Sequence, residues 1–186
     1  MFIKELWRYP IKSMAGERMR ETRVTLTGIP ADRTILVADA NGRIITSRTH
    51  HRLLGLKGSL GDNFIPLISG NSWYSNEALQ LVKEAAGDDA RLVHYEGVDR
   101  FDVFPLLVAT DGAIAHMGFD GRRLRPNIVI GGVEGLEERS WQARRLRVGD
   151  AVIEAVQLRG RCVMTTYDRC SSASSRNSTA EWRSIA

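Results

Sequence analysis

Residues 34–47 of this chain read TILVADANGRIITS. Two short apolar runs flank the dipeptide Asn41-Gly42, which favours the tight turn of a β-hairpin because both residues tolerate a positive φ. The stretch therefore predicts two antiparallel strands, at Thr34–Asp39 and Arg43–Ser47.

The rest of the chain repeats this pattern of short apolar runs between turn residues. Further strands are predicted at Phe2–Arg8, Arg23–Leu26, Arg91–Tyr95, Asn127–Gly131, Leu146–Val148, Ala151–Val156 and Val163–Tyr167. Strands this short and this numerous favour a β-barrel or a sandwich over a doubly wound sheet, since no alternation of strands with helices is sustained.

One segment has a clear helical pattern. Ser75–Ala86 begins with a favourable N-cap, carries an apolar face and is followed by Gly87 as a stop. A second, short helix is predicted at Asp111–Met117 with Thr110 as its cap, after a run at 105–109 with strand character. The expected fold is thus mainly β, with one clear peripheral α-helix and short additional helices.

The composition is that of an ordinary soluble globular protein. The chain has 186 residues, of which 43% are hydrophobic and 26% charged, and no apolar run approaches the length that spans a bilayer. The opening residues MFIKELWRYPIK contain no secretory signal, so the cytoplasm is the expected location. The net charge of +4 is spread along the chain. This positive charge is compatible with an alternative function, a basic β-barrel that binds nucleic acid, but no nucleic-acid-binding motif supports that alternative.

A lone cysteine stands in the stretch RGRCVMTTYD, residues 159–168. Cationic Arg159 and Arg161 flank Cys162, and nearby positive charge lowers the pKa of a thiol. No histidine stands nearby in the sequence to act as a base, which argues against a Cys-His hydrolase. Ligation of a soft metal, or transport of sulfur as a persulfide, requires a thiolate but no such base. The alternative is a buried cysteine that acts as a small hydrophobe. No CxxC or HExxH spacing predicts a zinc site.

Two polar segments near the N-terminus could hold an anion. In YPIKSMAG, residues 9–16, Lys12 and Ser13 follow a predicted strand; the alternative is a polar turn. In GIPADR, residues 28–33, Arg33 either faces a ligand or forms a local ion pair with Asp32. Arg48 ends another predicted strand and is equally ambiguous alone.

Three arginines crowd the start of a buried strand in RRLRPNIVI, residues 122–130. Pro126 is expected to keep Arg125 extended, because proline disfavours helical backbone in the residue before it. Asn127 begins the apolar run and needs hydrogen-bond partners when buried. An anionic ligand and a solvated surface are equally good explanations of the charge density.

Together these segments resemble the MOSC family, the molybdenum cofactor sulfurase C-terminal domain. The resemblance rests on five segments in the family's order across residues 1–168: YPIKSMAGE, GIPADR, RPN at 125–127, Trp141 followed by LRVGD, and RCVMTTYD. It implies a MOSC-type β-barrel fold with an N-terminal barrel-like segment at 1–72, a MOSC core at 73–168 and a polar C-terminal tail at 169–186.

The resemblance also implies a function. The expected cofactor is molybdenum cofactor of the molybdopterin type, with Cys162 as the catalytic thiolate and metal ligand. The implied cofactor-binding residues are Lys12, Ser13, Arg33, Arg48, Thr110, Asp111, Arg125 and Asn127. The implied activity is reduction of N-oxygenated compounds or sulfur transfer; the alternative within the family is a non-catalytic carrier of cofactor or sulfur.

No desulfurase or ferredoxin domain is expected within these 186 residues. The expected partners are a small-molecule substrate and either a separate electron-transfer protein or a separate cysteine desulfurase, and no membrane partner is expected. Pyridoxal phosphate would enter only through that desulfurase. After Asp168 the sequence departs from the family pattern with RCSS, and Cys170 has no implied role.

Overall fold

The computed structural model describes residues 1–160, which are mainly β. The strands are β1 (Phe2–Arg8), β2 (Glu17–Met19), β3 (Ile35–Ala38), β4 (Ile44–Ile45), β5 (Gly58–Leu60), β6 (Pro66–Ile68), β7 (Asn71–Ser72), β8 (Arg91–His94), β9 (Val108–Thr110), β10 (Ile128–Gly131), β11 (Arg144–Val148) and β12 (Ala151–Ala155). The α-helices are α1 (Asn76–Ala86) and α2 (Asp111–Met117). Short 3₁₀ helices lie at His51–Gly55, Asp62–Phe64, Val98–Arg100, Gly121–Leu124 and Glu137–Trp141. The mainly β class is confirmed, while Cys162, Cys170, the predicted strand Val163–Tyr167 and the tail lie outside the described residues.

The strands form several small sheets. Across residues 1–160 the orders are β2-β1-β10-β9, β4-β3-β8, β5-β6-β7 and β11-β12, and these sheets do not close into one barrel. Most neighbouring strands are antiparallel, and β9 runs parallel to β10. Residues 1–160 therefore have the expected β content, but their sheets do not form the closed barrel that the sequence predicts.

The predicted hairpin forms as β3 and β4. Val37 pairs with Ile45, and Gly42 adopts the positive φ of 78° that the turn requires. The carboxylate of Asp39 closes the loop, because its Oδ1 accepts hydrogen bonds from the backbone N–H groups of Asn41 and Arg43 at 2.8 and 2.9 Å. β8 covers the other edge of β3.

Strand β1 pairs with a strand that lies more than a hundred residues further along the chain. It pairs antiparallel with β10, so that Leu6 lies opposite Ile128. The segment that follows β1 therefore runs beside the segment that precedes β10. The hydroxyl of Tyr9 donates to the carbonyl of Pro126 at 3.1 Å, although 117 residues separate them.

Helix α1 packs its apolar face on a core. Ser75 caps it by accepting a hydrogen bond from the N–H of Ala78 at 3.1 Å, and Gly87 ends it at a φ of 103°. Buried Val82 packs with Ile35 and other residues of a first hydrophobic cluster.

Helix α2 is capped by Thr110, as predicted. A second cluster around Trp141 contains side chains of β10 and is covered by the β11–β12 ribbon.

Two sequence expectations are wrong. Arg23–Leu26 is not a strand: residues 23 and 24 have no regular secondary structure, and Thr25 begins a turn in which it exchanges backbone hydrogen bonds of 2.9 and 3.0 Å with Gly28. Arg125 is left-handed, with φ 56° and ψ 49°, rather than extended. Within the described range, the helices are too short or too polar to cross a membrane.

Candidate functional site

A cavity of about 730 Å³ collects side chains from distant parts of the sequence. Cations outnumber carboxylates along its walls: Lys12, Arg33, Arg48, Arg123, Arg125, Arg139 and Arg159 stand against Asp102, Glu138 and Glu154. Apolar side chains such as Trp141 and Leu146 complete the lining. A volume in the range of about 300–1,000 Å³ with convergent polar groups is typical of a small-molecule site. The charge balance favours an anionic ligand.

Three cations converge on the carboxylate of Asp102. Lys12 Nζ lies 3.2 Å from Oδ1, and Arg48 and Arg159 place Nη2 atoms 2.8 and 3.0 Å from Oδ2. Lys12 also donates to the carbonyl of Arg100 at 2.6 Å. Burial alone would raise the pKa of Asp102, but the charges of Lys12, Arg48 and Arg159 outweigh it and hold that pKa below its ordinary value.

Arg33 is fixed by a buried network. Its guanidinium forms an ion pair with Asp32, so the local pair considered from the sequence is present. Asp32 is fully buried, and its Oδ1 also accepts the N–H of Tyr9 at 2.7 Å. The amide of Asn127 reaches the same carboxylate at 3.2 Å, and its Oδ1 accepts the N–H of Leu107 at 3.1 Å. Arg33 is thereby held at the cavity wall.

The ring of Tyr9 supports Arg125. The Arg125 guanidinium carbon lies 4.2 Å from the ring centroid, and its Nη1 donates to the carbonyl of Met14. The ring of Tyr9 is itself packed on Gly16, where a Cβ would collide with the Arg8 carbonyl and the ring.

Three predicted site residues share an unusual backbone conformation. Ser13, Arg33 and Arg125 have φ values of 70°, 57° and 56°. Non-glycine residues enter this left-handed region at a cost, and such strain persists only where surrounding contacts impose it. The observed contacts of Arg33 and Arg125 supply that constraint at the cavity.

Thr110 and Asp111 are adjacent but differ in their placement. Thr110 lines the cavity, where its hydroxyl accepts the N–H of Ala113 at 3.0 Å and contacts Glu138 Oε2 at 3.1 Å. Asp111 is absent from the lining. Its carboxylate accepts the N–H groups of Gly132 and Val133 at 2.9 and 3.1 Å. Those backbone hydrogen bonds lower the pKa of Asp111.

The cavity thus brings together seven of the predicted cofactor residues: Lys12, Ser13, Arg33, Arg48, Thr110, Arg125 and Asn127.

Comparison with known families accounts for both parts of the chain. A model described as the MOSC N-terminal beta barrel domain matches residues 1–112, and a model described as the MOSC domain matches residues 107–184. This chain belongs to the MOSC family.

Relatives of this MOSC protein carry names that state an activity. Human mitochondrial amidoxime-reducing component 1 is 25% identical over an alignment that covers 96% of this chain and 70% of the relative. The mouse protein of the same name is 25% identical, with 96% and 69% covered. Rat mitochondrial amidoxime reducing component 2 is 25% identical, with 89% and 66% covered.

The MOSC cavity contains two residues that sequence reasoning missed. Asp102 gathers the cations of the cavity, and Glu138 contacts Thr110. The partners of Asp102 are 54 to 90 residues away along the chain, and Glu138 is 28 residues from Thr110. Only the folded arrangement reveals them.

The resemblance to the family predicts Cys162 as the metal ligand. That residue lies outside the described range, whose last members Arg159 and Gly160 line the cavity. Within residues 1–160, the His, Cys, Asp and Glu side chains form no group of three placed to hold a metal ion.

Proposed function

We propose that this MOSC protein binds molybdenum cofactor in the cationic cavity and reduces N-oxygenated compounds. The convergence of Lys12, Arg48 and Arg159 on one oxyanion carries the proposal. Family membership supports the cofactor. The names of the amidoxime-reducing relatives support the substrate class.

The donor set fits a cofactor that ends in a phosphate. The carboxylate of Asp102 is a stand-in oxyanion, and the cations around it already make charge-assisted contacts of 2.8–3.2 Å. Lys12, Ser13 and Arg48 would hold the phosphate. A bound phosphate offers more negative charge than the single carboxylate and would draw Lys12 and Arg48 toward itself.

The neighbouring residues would orient the rest of the cofactor. Arg125 and Arg33 present fixed guanidinium groups, because Tyr9 and Asp32 hold them. Asn127 is engaged by protein partners and acts by holding Arg33 and Asp32 in place. Thr110 also lines the cavity and would contact the ligand, whereas the Asp111 carboxylate binds the backbone N–H groups of Gly132 and Val133.

Cys162 would supply the thiolate. It follows Gly160 by two residues in the sequence, and Gly160 lines the cavity. When bound, molybdenum cofactor supplies the two-electron redox chemistry. Reduction of an amidoxime consumes two electrons and two protons, breaks the N–O bond and releases an amidine and water. The electrons would come from a separate electron-transfer protein.

Turnover measurements test this function. The protein would be produced in a host that makes the cofactor, and reduction of an amidoxime would be followed with reduced methyl viologen as electron donor. We expect turnover by the wild type, loss in Cys162→Ser and retention in Cys170→Ser. Bound cofactor without turnover would instead identify a cofactor carrier, and a Cys162 persulfide without cofactor a sulfur carrier.

Several expectations remain predictions. These are the division of the chain at residues 72 and 73, closure of a full barrel, the cytoplasmic location and a desulfurase partner that would bring pyridoxal phosphate. The names of the relatives place those proteins in mitochondria.

A further inference from the structure

Arg100 is a buried cation whose hydrogen-bond acceptors among residues 1–160 are all backbone oxygens. It is 5% exposed. Its Nε donates to the carbonyl of Asp32 at 3.1 Å, Nη1 to those of Glu96 and Gly97 at 2.7 and 3.1 Å, and Nη2 to that of Thr27 at 3.1 Å. The guanidinium carbon lies 4.2 Å from the centroid of the Phe101 ring.

This arrangement is uncommon for a buried charge. Buried arginines are usually paired with a carboxylate, since desolvation of the ion is costly. No carboxylate of residues 1–160 lies within ion-pair distance of Arg100; its partners are carbonyls from two separate loops. The fork of the guanidinium reaches all of them at once, which the single ammonium of a lysine cannot do.

The segments that Arg100 joins carry the anion site. One contains Thr27, Asp32 and then Arg33, and the other leads from Glu96 to Asp102. The carbonyl of Arg100 itself accepts Lys12 Nζ at 2.6 Å. Arg100 is absent from the cavity lining, so it acts from behind the wall.

We propose that Arg100 is a positioning residue that sets Lys12 and Asp102 for anion binding by fixing the loop at 27–33 to the segment at 96–102. The identity of the anion as a cofactor phosphate rests on the proposed function, whereas the positioning of Lys12 against Asp102 does not. Without the fork, the two loops separate and Lys12 loses its carbonyl anchor.

The test compares Arg100→Lys with the wild type and with Arg91→Lys, a control on the exposed strand β8. The first readout is the pKa of Asp102 from carboxyl NMR titration. The second is the affinity for inorganic phosphate by calorimetry. In Arg100→Lys we expect the pKa of Asp102 to move up toward its ordinary value and phosphate binding to weaken about tenfold or more, the effect of losing one charge-assisted contact. Arg91→Lys should change neither.

The outcomes separate the two claims. A folded Arg100→Lys protein with a wild-type pKa of Asp102 and a wild-type phosphate affinity would overturn the positioning role. A positive charge without the guanidinium fork would then be enough to place Lys12 and Asp102. A wild type that binds no phosphate would instead count against the proposed function, while the pKa of Asp102 would still test Arg100. If Arg100→Lys does not fold, the NMR signal of the Arg100 Nε–H group in the wild type tests the positioning role instead. It should exchange slowly with solvent and shift along the phosphate saturation curve, and an unresponsive signal would overturn the proposal.

Discussion

The side chains of Asn127 and Asp32 meet inside the protein although 95 residues separate them in the sequence. Asn127 Nδ2 donates to Asp32 Oδ2 at 3.2 Å, and both residues are fully buried. Arg33 binds the same carboxylate, and Tyr9 donates its N–H to the other oxygen. One buried carboxylate therefore ties the start of β10 to the segment after β1 and fixes a cation of the cavity.

Loss of the Asn127 amide should destabilise the protein. Asn127→Ala leaves the Asp32 carboxylate and the Leu107 N–H short of partners in a buried place, which should cost about 2 kcal/mol or more in the free energy of unfolding. Asn76→Ala, on the exposed first turn of α1, is the control and should change it by under about 0.5 kcal/mol. Urea unfolding measures both. Equal stabilities of the two variants would show that the buried contact contributes nothing.

Asp102 should make stability depend on acidity. Because its pKa is lower in the folded protein than its ordinary value of 3.8, the ionised carboxylate stabilises the fold above that pH, and the contribution is lost as the pH falls through the folded pKa. The wild type should therefore exceed Asp102→Asn in stability at neutral pH, and the difference should shrink below about pH 4.

Urea unfolding from pH 7 down to pH 3 measures that difference. Asp88→Asn, at an exposed position, serves as the control and should follow the wild type. A gap between wild type and Asp102→Asn that stays constant or grows in acid would contradict the role of Asp102 as counter-ion to Lys12, Arg48 and Arg159.

The cations of the cavity should hold the cofactor. The double change Lys12→Ala with Arg125→Ala removes two charge-assisted contacts and should weaken retention by about 3 kcal/mol or more. Pterin content after gel filtration measures retention, and Lys57→Ala, an exposed position, is the control. Full pterin in the double variant would mean that the cofactor lies elsewhere.

Much of the fold follows from local sequence. The Asn-Gly hairpin, the capped helix after Ser75 and the Thr110 cap of α2 each depend on a few neighbouring residues, and the structure contains them. The pairing of short strands such as β5 and β6 does not, because tertiary contacts override weak local preference there. The prediction of an extended Arg125 is wrong for the same reason, because contacts with Tyr9 and Met14 outweigh the backbone preference that Pro126 imposes.

The candidate site divides in a similar way. Motif resemblance located Lys12, Ser13, Arg125 and Asn127, which the fold brings to one cavity. It could not locate Asp102 or Arg100, because the cations around Asp102 and two partners of Arg100, Thr27 and Asp32, are remote in the sequence. Asp111, which the resemblance also assigns to the cofactor, lies outside the cavity lining and binds the backbone N–H groups of Gly132 and Val133.

The two cysteines should differ in reactivity. In the cofactor-free protein at mildly acidic pH, iodoacetamide should label Cys162 before Cys170, because arginines beside Cys162 lower the pKa of a thiol below the ordinary value of about 8.5. Bound cofactor should protect Cys162. Mass spectrometry of the labelled peptides reports the order. Faster labelling of Cys170, together with wild-type turnover in Cys162→Ser, would remove the thiolate from the mechanism.

Cofactor analysis of the wild-type protein tests the central claim most directly. The protein would be purified from a host that makes molybdenum cofactor, and its molybdenum and pterin would be quantified together. The account predicts both in a fixed ratio to each other and near one per chain, and a sharp loss of both in the Lys12→Ala, Arg125→Ala double variant. Wild-type protein that carries neither molybdenum nor pterin when prepared from that host would contradict it.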